Sequence, residues 1–155
     1  MKIIALFLFL IVYSQISAQY VIGEDLTTGA VKIKQFMSKN KFTLFKEGKL
    51  ILKDYNDETG KYDISVDRGS ELKFKEEITI DLFKNEYDNI KSIGIYINSF
   101  QNWINLLPLL DFGNWIKISK DNNSTTYTYK KYKIIEVMNL DLPSNKYQIL
   151  IHPLD

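Results

Sequence analysis

From Lys41 to Phe83 the apolar residues return at every second position, in short runs broken by polar residues. Phe42 and Leu44 alternate in this way, then Tyr62, Ile64 and Val66, then Leu72 and Phe74, then Ile78, Ile80 and Leu82. A period of two places one face of a strand on a core and the other in water. Lys46-Glu47-Gly48, Asp54 to Gly60 and Arg68-Gly69-Ser70 separate the runs and read as turns. Each contains a glycine able to take the positive φ that tight turns often need. Leu50 to Leu52 forms a further apolar run. The region predicts an antiparallel meander.

The stretch from Ser92 to Ile118 holds both tryptophans and breaks this rhythm. Ile93, Ile95 and Ile97 alternate around Gly94. Phe100, Trp103, Ile104 and Leu107 then fall at the spacing of one helical face, with Ser99 in the capping position. Pro108 cannot donate to a helical ladder and turns Leu107 away from helical angles. The sequence predicts a helix near 100–107, an extended apolar bridge through Phe112, and a strand from Trp115. Thr125 to Tyr132 alternates Thr and Tyr, a strong strand pattern. It is expected to continue to Met138 after a bulge near Lys130-Lys131. Leu142 to Asn145 reads as a turn and Tyr147 to Ile151 as the last strand. Nearer the start, Gln19 to Ile22 reads as a short edge strand. Ala30 to Met37 fits two periods: Val31 and Ile33 alternate with Lys32 and Lys34, while Ile33, Phe36 and Met37 share a helical face. The strand is preferred. The expected fold is mainly β, a β-rich α+β single domain of about nine strands with one short helix near 100–107. Antiparallel meander, sandwich and barrel-like sheet all fit.

Met1-Lys2 followed by the uncharged apolar run Ile3 to Tyr13, and then by Ser14, Ser17 and Ala18, has the layout of a secretory signal peptide. The apolar run is too short for an ordinary membrane span. Residues 1–18 are therefore read as a signal peptide, 19–155 as one exported domain, secreted or periplasmic, with no membrane span after cleavage. Lys2 is the one charged residue of that segment, so the remainder balances 19 basic against 19 acidic residues. No strong field draws such a chain to nucleic acid. With no cysteine, disulfides add nothing to its stability, and burial must supply it.

The residue types narrow the chemistry. There is no thiol nucleophile, and the single histidine, His152, stands at the end of an apolar strand before Pro153. Catalytic zinc usually takes two or three imidazoles, so no metal site is expected. Asp54, Asn56 and Glu58 have the oxygen spacing of a calcium loop, but Thr59 and Ser65 occupy the positions that need Gly and Glu. No catalytic residue and no cofactor are assigned. Two candidate surfaces remain. Tyr127, Tyr129 and Tyr132 interleave with Lys130, Lys131 and Lys133, and tyrosines sharing a face can stack on a sugar or anchor a protein. Phe100, Trp103 and Trp115 belong to a segment richer in apolar residues than one short helix needs, which suits an apolar ligand or a partner groove. The expected function is an exported, non-catalytic binding or interaction domain for a protein, a glycan or a small apolar ligand. The alternatives are a hydrolase working through carboxylates such as Asp54, Asp57, Asp63 or Glu77, and a structural component of the cell envelope.

Overall fold

The computed structural model of the chain describes residues 21–138 and 147–154. The expected signal segment and the expected turn at Leu142 to Asn145 lie outside the described residues. Val21 and Ile22 do not form a strand.

Helix α1 (Leu26–Lys39) opens the described fold. The Asp25 carboxylate caps it by accepting the Thr28 N–H at 3.0 Å. Ala30, Ile33, Phe36 and Met37 are buried and Val31 is exposed. The strand preferred for Ala30 to Met37 is therefore corrected to a helix. Only the 3.6-residue period brings Ile33, Phe36 and Met37 to one side, and that stripe is what the core accepts. Gly29 lets the helix lie close to the sheet, since a Cβ there would stand 2.2 Å from Ile90 Cδ1.

Eight strands follow among the described residues: β1 (Leu44–Asn56), β2 (Lys61–Phe74), β3 (Ile78–Lys84), β4 (Ile90–Ile97), β5 (Ile116–Lys120), β6 (Ser124–Tyr129), β7 (Tyr132–Met138) and β8 (Tyr147–Pro153). They form one antiparallel sheet in the order β1-β2-β3-β4-β8-β7-β6-β5. The fold is thus β-rich α+β, with a sheet that is open at β1 and β5. Two meanders meet at the β4–β8 ladder. The chain leaves the sheet's centre after β4 and starts again at its far edge with β5.

Helix α2 (Phe100–Leu106) carries that crossing, its first turn capped by Ser99 Oγ, which accepts the Asn102 N–H at 3.4 Å. The extended bridge expected after it is instead two 3-10 turns, Leu107–Leu110 and Phe112–Asn114. Pro108 has no N–H to lose in the first turn of such a segment, so it starts a tight helix as readily as it ends a longer one. Asp111, at φ 59°, makes the left-handed step between the two.

Two expected turns are strand interior. β1 runs 13 residues straight through Lys46-Glu47-Gly48, and β2 runs 14 through Arg68-Gly69-Ser70. Gly69 has φ 145°, and a Cβ there would lie 1.8 Å from the Leu82 carbonyl oxygen. It marks an irregular, close approach of β2 to β3, a use of glycine that sequence alone does not separate from a turn. Gly60, at φ 66°, does make the β1–β2 turn. The expected bulge at Lys130-Lys131 is the turn between β6 and β7, with Lys130 at φ 53°.

The core is built from rows that run across the strands. Ile80, Ile95 and Ile149 form one row, and Leu82, Ile93, Ile151 and Ile134 the next. Each is at most 1% exposed, and with the buried faces of α1 and α2 they make a single cluster. Burying one such side chain contributes roughly 1.5–3 kcal/mol, which explains how a cysteine-free domain holds together. Beyond the Gly69–Phe83 pairing, β2 keeps only β1 as a neighbour. Residues 51–67 therefore leave the sheet as a two-stranded ribbon.

Candidate functional site

The aromatic candidates are distributed through the helix-bearing layer. Trp103 is 5% exposed and stacks on Tyr147, ring centroids 4.9 Å apart. Phe100, 6.1 Å from the same tyrosine, is exposed. Trp115 is buried, and its indole N–H donates to the Leu110 carbonyl at 3.0 Å. Its ring meets Phe112 and Tyr127 edge to face, at 5.1 and 5.5 Å. Tyr129 and Tyr132 are buried. The Tyr129 hydroxyl donates to Asp111, and this bond, with a second from the Asn114 amide, holds the Asp111 carboxyl below its usual value. Tyr127 is half-buried and donates to Glu136 at 2.7 Å. Burial, then the Glu136 carboxylate, pushes the Tyr127 hydroxyl up to about 12. The structure brings Trp115 and Tyr127 into one packed group with Phe112, and Phe100 and Trp103 into another around Tyr147, while Tyr129 is tied to Asp111. Tyr132 lies in the core between strands.

The carboxylates weighed for hydrolysis lie apart from one another in role. Asp54 pairs with Arg68, Asp63 accepts the Thr59 hydroxyl at 2.9 Å, and Glu77 stands in the β2–β3 turn at φ 59°. Asn56 Oδ1, part of the oxygen spacing that resembles a calcium loop, accepts the Glu58 N–H at 3.0 Å and so shapes the ribbon's turn.

A different carboxylate stands out on the sheet face turned away from the helices. Glu71, Asp81 and Gly94 form one row across β2, β3 and β4. The Tyr96 ring folds back over Gly94, where a Cβ would be 2.8 Å from the phenol oxygen. Asp81 is 9% exposed, and its Oδ1 has no hydrogen-bond partner among the described residues. Burial, then Glu71 across the ladder, pushes its carboxyl up to about 6, against the opposing pull of Lys73. Lys73 bonds Glu71 at 3.0 Å. A carboxyl so placed can carry a proton in the range where general acids work. Sequence reading passed it over because Asp81 between Ile80 and Leu82 is also what the wet face of any strand looks like. The short Lys75-Glu76-Glu77 connection was the available signal, since it sets Glu71 opposite Asp81.

The ribbon presents the other unusual surface. Leu44, Phe45, Ile51, Leu52 and Tyr55 of β1, with Tyr62 and Ile64 of β2, make up half of the exposed large apolar residues described. Leu52 pairs with Val66 and Tyr55 with Tyr62, whose rings meet at 5.2 Å. Tyr62 is 71% exposed. At the ribbon's base, Lys84 bonds Asp88 at 2.8 Å and approaches Asp67 at 3.6 Å, so the charges there are matched. Among the described residues no helix is long and apolar enough to cross a membrane. Comparison with protein-family models, with curated proteins and with solved structures finds no match for this chain. Its function has to be argued from these surfaces.

Proposed function

We propose that the chain is an exported, non-catalytic interaction domain, and that the apolar face of the β1–β2 ribbon is the surface on which a protein partner docks. The observation that carries this reading is the ribbon itself. Two strands alone are marginal in water, and this pair leaves the sheet with Leu52, Tyr55, Tyr62 and Ile64 all exposed, Leu52 the least at 41%. A patch of apolar residues rimmed by charge is the ordinary mark of a docking surface, and tyrosine is a frequent anchor in one. The aromatic residues singled out in the sequence support the assignment indirectly. Trp103, Trp115, Tyr129 and Tyr132 spend their surface on the core, whereas Tyr55 and Tyr62 of the ribbon are exposed side by side; Phe100 and Tyr87 are exposed elsewhere.

The test is co-purification from the chain's own host. The protein is expected to bring one partner with it. The double variant Tyr62→Ser and Ile64→Ser is expected to lose that partner while keeping its melting temperature within a few degrees, since both residues are largely outside the core. Retention of the partner by the variant would remove the ribbon face from the mechanism.

A further inference from the structure

We infer that the free edge of β1 pairs with the β1 edge of a second copy, antiparallel and about a two-fold axis at Leu50. The inference concerns the ribbon's backbone edge, not its apolar face, and does not depend on which partner that face takes.

β1 is an edge strand, and among the described residues nothing pairs with its outer side. At 13 residues it is more than twice the common strand length of about 5–6. It contains no proline. Edges of this kind are templates for further pairing unless something blocks them.

What selects a second copy is the order of residues along the strand. In an antiparallel pair centred on Leu50, residues equidistant from Leu50 stand opposite one another. Lys46 then faces Asp54, Glu47 faces Lys53 and Gly48 faces Leu52. Both charged pairs are of opposite sign, and the axis makes each of them occur twice. Residues equidistant from the centre are an even number apart, so over the regular part of β1, residues 46–54, each pair lies on one face of the sheet; Phe45 is the extra residue of a bulge between Leu44 and Lys46. The helices of both copies then lie on the same side of one continuous sheet.

The contacts already present within the chain agree with this pairing. Glu47 is bonded by Lys34 at 2.8 Å, and Asp54 by Arg68. With a second copy alongside, each carboxylate sits between two cations, one from each chain, once the Lys53 ammonium turns to the partner from its own Ser65 Oγ, to which it donates at 2.8 Å. Residues 51–56 of each ribbon, which have only one neighbouring strand in their own chain, gain the body of the partner's β1 as a second.

The opposite edge shows what a blocked edge looks like. β5 has five residues, all exposed, including Lys117 and Lys120 and no acid. Doubling it about Ile118 offers no charge pair, and lysines on a short edge strand oppose pairing.

The test uses the purified exported protein and its charge-reversed variants in sedimentation equilibrium. Wild type is expected to dimerise. Glu47→Lys and Lys53→Glu each turn two attractive pairs into two repulsive ones, and each is expected to weaken the dimer about tenfold or more. An equimolar mixture of the two variants restores both pairs, so it is expected to form a heterodimer where each variant alone stays monomeric. Wild type remaining monomeric into the millimolar range, or a mixture no more associated than its components, overturns the inference. Hydrogen exchange on wild type gives a reading that needs no variant. Amides of β1 are expected to become more protected as protein concentration rises, and those of β5 are not. Exchange in β1 that is independent of concentration also overturns it.

Discussion

Asp81 is the residue at which this fold works against itself. Its carboxyl is buried in a ladder opposite Glu71, and it titrates near 6 where an ordinary aspartate titrates at 3.8. The folded chain therefore holds this proton more tightly than the unfolded chain does. Protonation supports the fold below the unfolded value, and that support is lost as the pH rises through about 6. A shift of this size corresponds to about 2 kcal/mol once partial solvent access is allowed for. Asp81→Asn removes the charge and keeps the shape. It is expected to raise stability by about 1–2 kcal/mol at pH 7.5 and by little at pH 4.5, read from urea unfolding at the two pH values. An equal effect at both would mean that the charge is not what costs stability there. Sequence showed that Asp81 lies opposite in face to Ile80 and Leu82. It did not show the burial, nor that the Tyr96 ring folds over Gly94, the ladder partner of Asp81, a side-chain choice with no periodic signature.

Element by element, period-two segments were legible and their punctuation was not. The alternation in β3, β4, β8 and the Leu72–Phe74 end of β2 is the alternation of the buried rows, while that of Tyr62 and Ile64 lies exposed on the ribbon. Gly48 and Gly69 looked like turn residues, yet both lie within strands; at Gly69 a close approach to β3 explains the glycine, while nothing in the structure explains Gly48. Ala30 to Met37 carried both periods at once, and only the presence of an apolar sheet face decided for the helix. Around α2 the sequence was partly informative: the Ser99 cap and the end of the α-helix before Pro108 appear, but of the expected face Phe100 and Ile104 are exposed, and the buried stripe runs through Trp103 and Leu106 instead. That stripe makes a definite prediction for α2. Trp103 is buried against Tyr147, so Trp103→Ala should cost roughly 3–5 kcal/mol in chemical denaturation. A cost below 1 kcal/mol would mean that α2 does not seal the core and would return Trp103 to the list of binding candidates.

At the scale of the whole molecule, the strand order was beyond reach of the sequence. Nothing local to β4 says that its second neighbour is β8, about fifty residues on, or that β5 begins at the far edge. That pairing is chosen by burial: Ile93 and Ile95 need apolar neighbours on both sides, and Ile151 and Ile149 supply them. The consequence is mechanical as well as architectural. The two meanders are joined by one ladder and by the α2 crossing, and their inner rows share one core cluster. If the core is cooperative, neither meander can open alone without stripping the other's central strand. Native-state hydrogen exchange should then give the amides of Ile149 and Ile151 the same opening free energy as those of Ile93 and Ile95, equal to that of global unfolding. At concentrations where the chain is monomeric, the ribbon beyond Gly69 and the β5 edge should open far more easily, since each then has only one neighbouring strand. A β5–β8 meander that exchanged as a separate, weaker unit would contradict this. It would make the β4–β8 ladder a seam between two subunits of stability and relocate the weakest contact from the ribbon to the centre of the sheet.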